Sequence, residues 1–395
     1  MMKAIDLFCG CGGMSLGLRR AGLEVIAGMD IEPNYMATFA HNFGNEKAFK
    51  NSIATLCAKE FMSVLNLCKG ELDILVGGPP CQGFSKNVPR KHRHLEDPKN
   101  QLVRNFLDYV EAFMPRFVVM ENVAEMKNGF ENSYSDEVMR RLSKYGYSVE
   151  HGVLNAADFG VPQRRRRAFF VASRDTLNVR LPQPSHKKAT GSDQSNLFGE
   201  LVDHVNIKQA IYDLPRLEHG QGIENASYRS DPISSYQQKM RGECNLVKNH
   251  IARELKPLQF ERISSLKPGQ GLKDLPAHLK TKGGYSGAYG RLTWDMIAPT
   301  ITRWVFHPGS GRWGHPEDLR LLTIREVARV QSFSDDYTFI GSYNQQAGQL
   351  GNAVPPLLME SVVNTLVYDL YDDNISSRSS SDILLSGSGN LKETA

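Results

Sequence analysis

Six short apolar runs in the first 175 residues constrain the fold of this chain more than any other feature. They are "KAIDLF" (3–8), "LEVIAGMD" (23–30), "LDILVGG" (72–78), "RFVVMEN" (116–122), "YSVEHGVLN" (147–155) and "RAFFVAS" (167–173). Each has the length and the β-branched or aromatic content of a buried strand. Helical stretches lie between them, predicted near 13–21 and over "NQLVRNFLDYVEAF" (100–113). Parallel strands need a crossover, usually a helix, so this alternation predicts an α/β fold. The expected architecture is a doubly wound, mostly parallel sheet.

The texture changes after about residue 176. "LPQPSHKKATGSDQSN" (181–196) is rich in Pro, Ser, Gly and polar residues, the composition of a boundary. Residues up to about 320 are loop-rich and hold all three tryptophans (294, 304, 313). A catalytic and cofactor-binding domain over 1–179 and a smaller irregular domain over 180–320 are therefore expected. Regularity returns at "LTIREVARVQSF" (322–333), a predicted helix with Thr323 as N-cap and Glu326 as its capping-box partner. "PPLLMESVVNTLVYDLY" (355–371) predicts a closing helix with prolines at its start, so 321–373 should return to complete the first domain. The Ser/Gly-rich end, 374–395, has the composition of a disordered tail.

No run of about 18 apolar residues is present and the N-terminus has no signal-peptide pattern, so a cytoplasmic protein without a membrane span is expected. The six cysteines (9, 11, 57, 68, 81, 244) form no CxxC pair and no zinc-like cluster, so free thiols and no metal are expected. The net charge of +4 is too small to name a partner. Its distribution is more informative: "KNVPRKHRH" (86–94) and "QRRRR" (163–167) concentrate cations. Such runs are solvated faces or, beside a cleft, phosphate contacts.

Two places have the make-up of a site. "DLFCGCGGMSLGL" (6–18) sets a glycine-rich turn between the first strand and the first helix, where free N–H groups can meet a ligand. Ser15 stands where a dinucleotide fingerprint would have its third glycine. Asp30 ends the second strand 20 residues after Gly10, the place of a ribose-binding acid, with a cap for the helix starting near Pro33 as the alternative. The second place is "GGPPCQGFS" (77–85), where Cys81 follows a strand end behind two prolines. A lone cysteine there is a small buried residue or a nucleophile, and the basic loop after it would favour the thiolate. Glu121 ends the next strand, so in a parallel sheet it should face the same crevice as Cys81.

In order along the chain, "DLFCGCGG", "GGPPCQGFS", "ENV", "VPQRRRR", "RLTWDMIAPTITR" (291–303) and "GQLGNAVPP" (348–356) closely resemble the motif set of the DNA cytosine-5 methyltransferases. The resemblance implies a Rossmann-like fold that binds S-adenosyl-L-methionine, and an irregular target-recognition domain. It implies Cys81 as the nucleophile that adds to cytosine C6, and Glu121 as the acid at N3 and the exocyclic amine, with Asn122 helping to hold it. Gln163, Arg165 and Arg167 would support the flipped base and the acid, with Arg165 touching the cytosine; Arg164 and Arg166 would alternate to the other face. The cofactor pocket it implies comprises Phe8, Gly10, Gly12, Asp30, Ile31, Ser52, Pro79 and Asn352, Ser52 standing where many members carry aspartate. Gln82, Ser85, Lys86 and Arg90 fall in the implied catalytic loop as DNA contacts, and the glycine-rich "KGGYSGAYG" (282–290) is a candidate groove contact.

The partner so implied is double-stranded DNA, from which the target base is flipped. A chain that carries little beyond the catalytic core fits the modification half of a bacterial restriction system, paired with an endonuclease and acting as a monomer. RNA cytosine-5 methylation and a non-catalytic DNA-binding relative are the alternatives. The first lacks its Cys-Phe-Thr segment here, and the second would be expected to lose Cys81, Glu121 or the glycines.

Overall fold

The computed structural model describes residues 1–80, 101–127, 133–175, 179–188 and 201–367. Seven strands form one sheet: β1 (Lys3–Leu7), β2 (Glu24–Met29), β3 (Ala48–Phe49), β4 (Ile74–Gly77), β5 (Phe117–Val123), β6 (Ser148–Asn155) and β7 (Arg166–Ser173). Their spatial order is β3-β2-β1-β4-β5-β7-β6. Neighbours are parallel except around β7, which runs antiparallel to β5 and β6. The doubly wound, mostly parallel α/β sheet expected from the sequence is the one found. All six predicted strands are present; β3, only two residues long, has no periodicity to reveal it. The reversal at β7 follows from chain length. Residues 156–165 are too few for a crossover helix, and they fold instead as a tight 3-10 turn, 156–159, closed by Gly160.

Helices cover both faces of the sheet: α1 (Gly13–Arg20), α2 (Pro33–Phe43), α3 (Ala58–Val64), α4 (Gln101–Phe113) and α5 (Ser133–Lys144). Side chains alternate across a strand, so each strand feeds two cores. Leu75, Val118, Met120 and Phe170 join Phe61, Phe106 and Val110 of α3 and α4 on one side. Ile74, Val76, Phe117, Val119, Phe169 and Val171 join α1 and the C-terminal elements on the other.

Past residue 200 regular structure is sparse: α6 (Ile207–Ile211), α7 (Ser235–Arg241), α8 (Pro257–Ser264) and pairs of two-residue strands. Ile207, Met240, Leu255 and Leu292 from this region share one apolar cluster with Leu16, Val327 and Leu358. The chain then forms α9 (Ile324–Val330), α10 (Tyr343–Asn352) and a last helix, 356–367, that opens on Pro356. The capping box at α9 is made: the Thr323 hydroxyl accepts from Glu326 N and the Glu326 carboxylate from Thr323 N. The final residues of the predicted closing helix, and the tail from 374, lie outside the described residues. No described helix is long and apolar enough to cross a membrane.

Every residue of α9 is buried, its two arginines and its glutamate included. Their charges are matched from elsewhere in the chain, since an unpaired buried ion costs several kcal/mol. Arg329 bonds Asp213 at 2.5 Å and Asp335 at 2.6 Å; Glu326 bonds Arg320 at 2.8 Å. Burial raises the Glu326 and Asp335 carboxyls, but the Arg320 and Arg329 cations outweigh it and hold both below the usual carboxylate range. His315, beside Glu326 and Arg320, is pushed down to about 3, chiefly by burial. A carboxyl with a depressed folded-state pKa stabilises above its unfolded pKa, and that contribution is lost as pH falls toward the folded value. A depressed histidine acts in the same direction, because below about 6.5 the unfolded chain takes the proton first. The part of the stability that these groups carry should therefore fall below pH about 6, so in urea melts His315→Asn should lose less stability between pH 7 and 4 than the parent. An equal loss in both would contradict this.

Candidate active site

β1 and β4 lie side by side at the centre of the sheet, and the described helices that follow them, α1 and α4, cover opposite faces. A crevice must open there. A cavity of about 630 Å³ fills it, lined from the nucleotide end by Phe8, Gly10, Asp30, Ile31 and Ser52, and from the strand-four end by Gly78, Pro79, Glu121, Asn122, Arg165 and Arg167, with Asn352 from α10.

At the nucleotide end the chain turns sharply out of β1. Phe8 takes φ 62°, a conformation uncommon for a non-glycine residue. Asp6 accepts bonds from Ser15 N (3.1 Å) and Ser15 Oγ (2.6 Å), so the serine in place of a third glycine ties α1 to β1. Gly10 and Gly12 both have positive φ, yet they do different work. A Cβ on Gly10 would meet nothing nearer than Tyr35 at 4.0 Å, whereas one on Gly12 would strike the Tyr337 hydroxyl at 2.6 Å. Gly12 therefore packs toward the core and is not among the cavity-lining residues. The Asp30 carboxylate accepts from Gly10 N (2.9 Å) and Glu32 N (2.9 Å), bracing the glycine turn against the residue that precedes α2. Burial raises its pKa against those two bonds. Ile31, 62% exposed, projects beside it. Ser52 Oγ accepts from Ala54 N at 3.2 Å.

The other end is set by sheet register. Val123 of β5 pairs with Arg167 of β7, and directly opposed residues share a face, so Arg167 lies diagonal to Glu121. Their side chains form an ion pair of 2.9 Å. Burial pushes the Glu121 carboxyl up, while Arg167 and then Arg165 pull it down; the net shift is upward. A Cβ on Gly78 would stand 3.3 Å from Glu121 Oε2, so the acid rests against the turn that leads to Cys81. Asn122 donates to Pro79 O at 2.9 Å, fastening that turn to β5. Arg165 is buried and donates to Ile301 O (2.9 Å) and Gly351 O (3.2 Å), while its Nε has no partner among the described residues. Burial, and next the Arg167 charge, lower its pKa. Gln163 is not at the cavity: it donates to Gln331 and accepts from Ile301 N, joining the sheet to α9 and the 291–303 segment. Arg164 and Arg166 are exposed. Cys81, Gln82, Ser85, Lys86 and Arg90 lie outside the described residues.

Sequence reasoning missed Tyr35 and Arg303, which also line the cavity. Tyr35 lies one helical turn past Ile31 and accepts from Asn352 Nδ2 at 2.9 Å, so an aromatic at that spacing was a usable signal. Arg303 arrives through tertiary packing alone. The lining fits S-adenosylmethionine: an open glycine turn, a strand-end acid, an exposed apolar side chain for a purine face, and room beside Gly10.

A family model described as C-5 cytosine-specific DNA methylase matches residues 2–367. The chain is similar to the Type II methyltransferase M1.HphI of Haemophilus parahaemolyticus, 34% identical over 366 residues that cover 92% of this chain and 86% of that protein. It is similar also to M.DdeI of Desulfomicrobium norvegicum, 32% identical over 397 residues, covering 95% and 90%. Among solved structures, a DNA modification methyltransferase encoded within an E. coli prophage superposes with TM-score 0.74 at 25% identity, covering 94% of this chain and 100% of that one. With the motif set in order, the cavity built from it and a match over nearly the whole length, the chain belongs to the C-5 cytosine-specific DNA methylase family and is a DNA (cytosine-5-)-methyltransferase.

Proposed function

We propose that the protein methylates C5 of one cytosine within a specific duplex sequence, after that base has left the helix, through a covalent bond between Cys81 and cytosine C6. The observation that carries this reading is the place of Glu121: a buried carboxyl with a raised pKa, in the same cavity as the Phe8–Asp30 turn and against the turn leading to Cys81. Cytosine C5 is too weak a nucleophile to react unaided. The Cys81 thiolate adds to C6, and the displaced π electrons make C5 electron-rich. Glu121 in its acid form gives a proton to N3 and receives a bond from the exocyclic amine, with Asn122 fixing the turn beside it. Arg167 holds the carboxyl in place, and Arg165, whose Nε has no partner among the described residues, contacts the base. Bound S-adenosylmethionine supplies the methyl group that C5 accepts, held by Phe8, Gly10, Asp30, Ile31, Ser52, Pro79 and Asn352. Gly12 and Gln163 support this arrangement from outside the cavity. N3 then returns its proton to Glu121, and loss of the C5 proton to solvent water returns an electron pair to the ring and expels the thiolate.

The irregular region 180–320 reads the bases, and Gln82, Ser85, Lys86 and Arg90 contact the DNA beside Cys81. As the named relatives are Type II methyltransferases, we assign the protein to the modification half of a restriction system, a cytoplasmic monomer working with an endonuclease of the same sequence specificity. The test is transfer of labelled methyl from S-adenosylmethionine to duplex DNA, with RNA as the competing acceptor and bisulfite mapping of the product. Label in RNA alone would defeat the reading.

Protonated Glu121 is the working form, so kcat/KM should fall as pH rises through its pKa. Arg167 lowers that pKa. Arg167→Met should therefore shift the alkaline limb to higher pH, and Arg167→Lys should leave it close to the original. A limb that stays fixed in the Met variant would separate Arg167 from the acid.

A further inference from the structure

Trp304 is 54% exposed, an unusual setting for the largest side chain, and it follows directly on Arg303 at the cavity wall. The turn that presents the pair is rigid. Trp304 O accepts from Ser310 Oγ (2.6 Å) and His307 N (2.8 Å), and Val305 is anchored in the core. Behind it the turn presses on α10 so closely that a Cβ on Gly351 would lie 2.1 Å from Arg303 N. The indole is thus held outward by its backbone.

Its surroundings are cationic. The Arg303 guanidinium lies 5.4 Å from the Trp304 ring centroid and has no carboxylate partner among the described residues. Phe306 packs 5.6 Å from Trp304, and the Arg253 guanidinium lies 5.2 Å from the Phe306 ring centroid. Thr300 Oγ1 donates to Arg164 O at 2.6 Å, so the exposed Arg164 borders the same segment. An exposed aromatic beside arginines that no carboxylate neutralises among the described residues fits a polyanion that also offers flat apolar faces, which describes a nucleic-acid strand with an unstacked base.

We propose that Arg303 and Trp304 hold the substrate strand at the mouth of the cavity, Trp304 stacking on a nucleobase next to the extruded cytosine and Arg303 binding a flanking phosphate. The inference rests on the DNA-methylating reading above and adds to it a pair of strand-holding residues. The probe is a duplex carrying the sequence mapped by bisulfite. Of the three tryptophans, Trp313 is buried and Trp294 half-buried, so DNA should quench mainly Trp304 fluorescence. Trp304→Phe should abolish most of that quenching and still bind. Trp304→Ala should raise the KM for DNA about 10- to 100-fold, with the Kd for S-adenosylmethionine unchanged. Arg303→Met should lower the slope of log Kd against log salt by about one. Unchanged DNA KM in Trp304→Ala, or equal losses of DNA and cofactor affinity, would overturn the inference while methyl transfer by the unaltered protein still stood. Absence of that transfer would instead overturn the reading beneath it.

Discussion

Cys81→Ala is expected to reduce methyl transfer to duplex DNA by about 10⁵-fold or more, the largest effect of any single change in this protein. Without the sulfur no electron pair is pushed into the ring, and neither Glu121 nor a well-placed methyl donor can make C5 nucleophilic. The loss should fall on kcat, because the turn before Cys81 is held by Asn122 through Pro79 O and does not depend on the thiol. A sharper form of the test uses duplex DNA with 5-fluorocytosine at the target. Fluorine cannot leave as a cation in place of the C5 proton, so the adduct should be trapped as a denaturant-stable protein–DNA species. Unaltered protein should give that species and Cys81→Ala should not. Trapping by the alanine variant, or full activity in it, would remove Cys81 from the mechanism.

Arg329→Met is expected to cost about 3–5 kcal/mol of stability, the largest loss in the described structure outside the cavity. The guanidinium bonds the Asp335 carboxylate through Nε (3.0 Å) and Nη2 (2.6 Å), and Asp213 and Ala210 O through Nη1 (2.5 and 3.0 Å). Removing it leaves two carboxylates buried without their main counter-charge. Asp213 follows α6 and Asp335 follows α9, so the irregular region should loosen from the sheet as the pair fails. Urea melts should show the midpoint fall, and adding Asp213→Asn and Asp335→Asn to Arg329→Met should recover part of it. A single variant as stable as the parent would show that water or relaxation compensates the charges.

These two residues mark opposite ends of what could be read from the amino acids. Cys81 itself lies outside the described residues, but the strand end and proline pair that lead to it, 74–80, were legible because they are consecutive in the chain, and local signals need no folded partner. Asp30 and Glu121 were legible for the same reason: each ends an apolar run, and a parallel sheet gathers such ends into one crevice. Arg329 was not. Periodicity around 324–330 marks a helix, and its charges would ordinarily face water; they are buried because Asp213, 116 residues away, and Asp335 meet them there.

The arginine strand shows the division within five residues. Period-two alternation separates Gln163, Arg165 and Arg167 from Arg164 and Arg166, and the exposed pair is the one the alternation names. Alternation says nothing of which inward residue meets the acid. The pairing of Val123 with Arg167 gives Glu121 to Arg167, leaves Arg165 on the carbonyls of Ile301 and Gly351, and lets Gln331 draw Gln163 from the cavity. Strand identity, fold class and the residue types at the crevice were thus determined by sequence, because each depends on neighbours a few positions away. The partners of those residues, and the arrival of Arg303 at the cavity, were decided by tertiary structure alone, because register and long-range packing bring together groups that no local pattern connects.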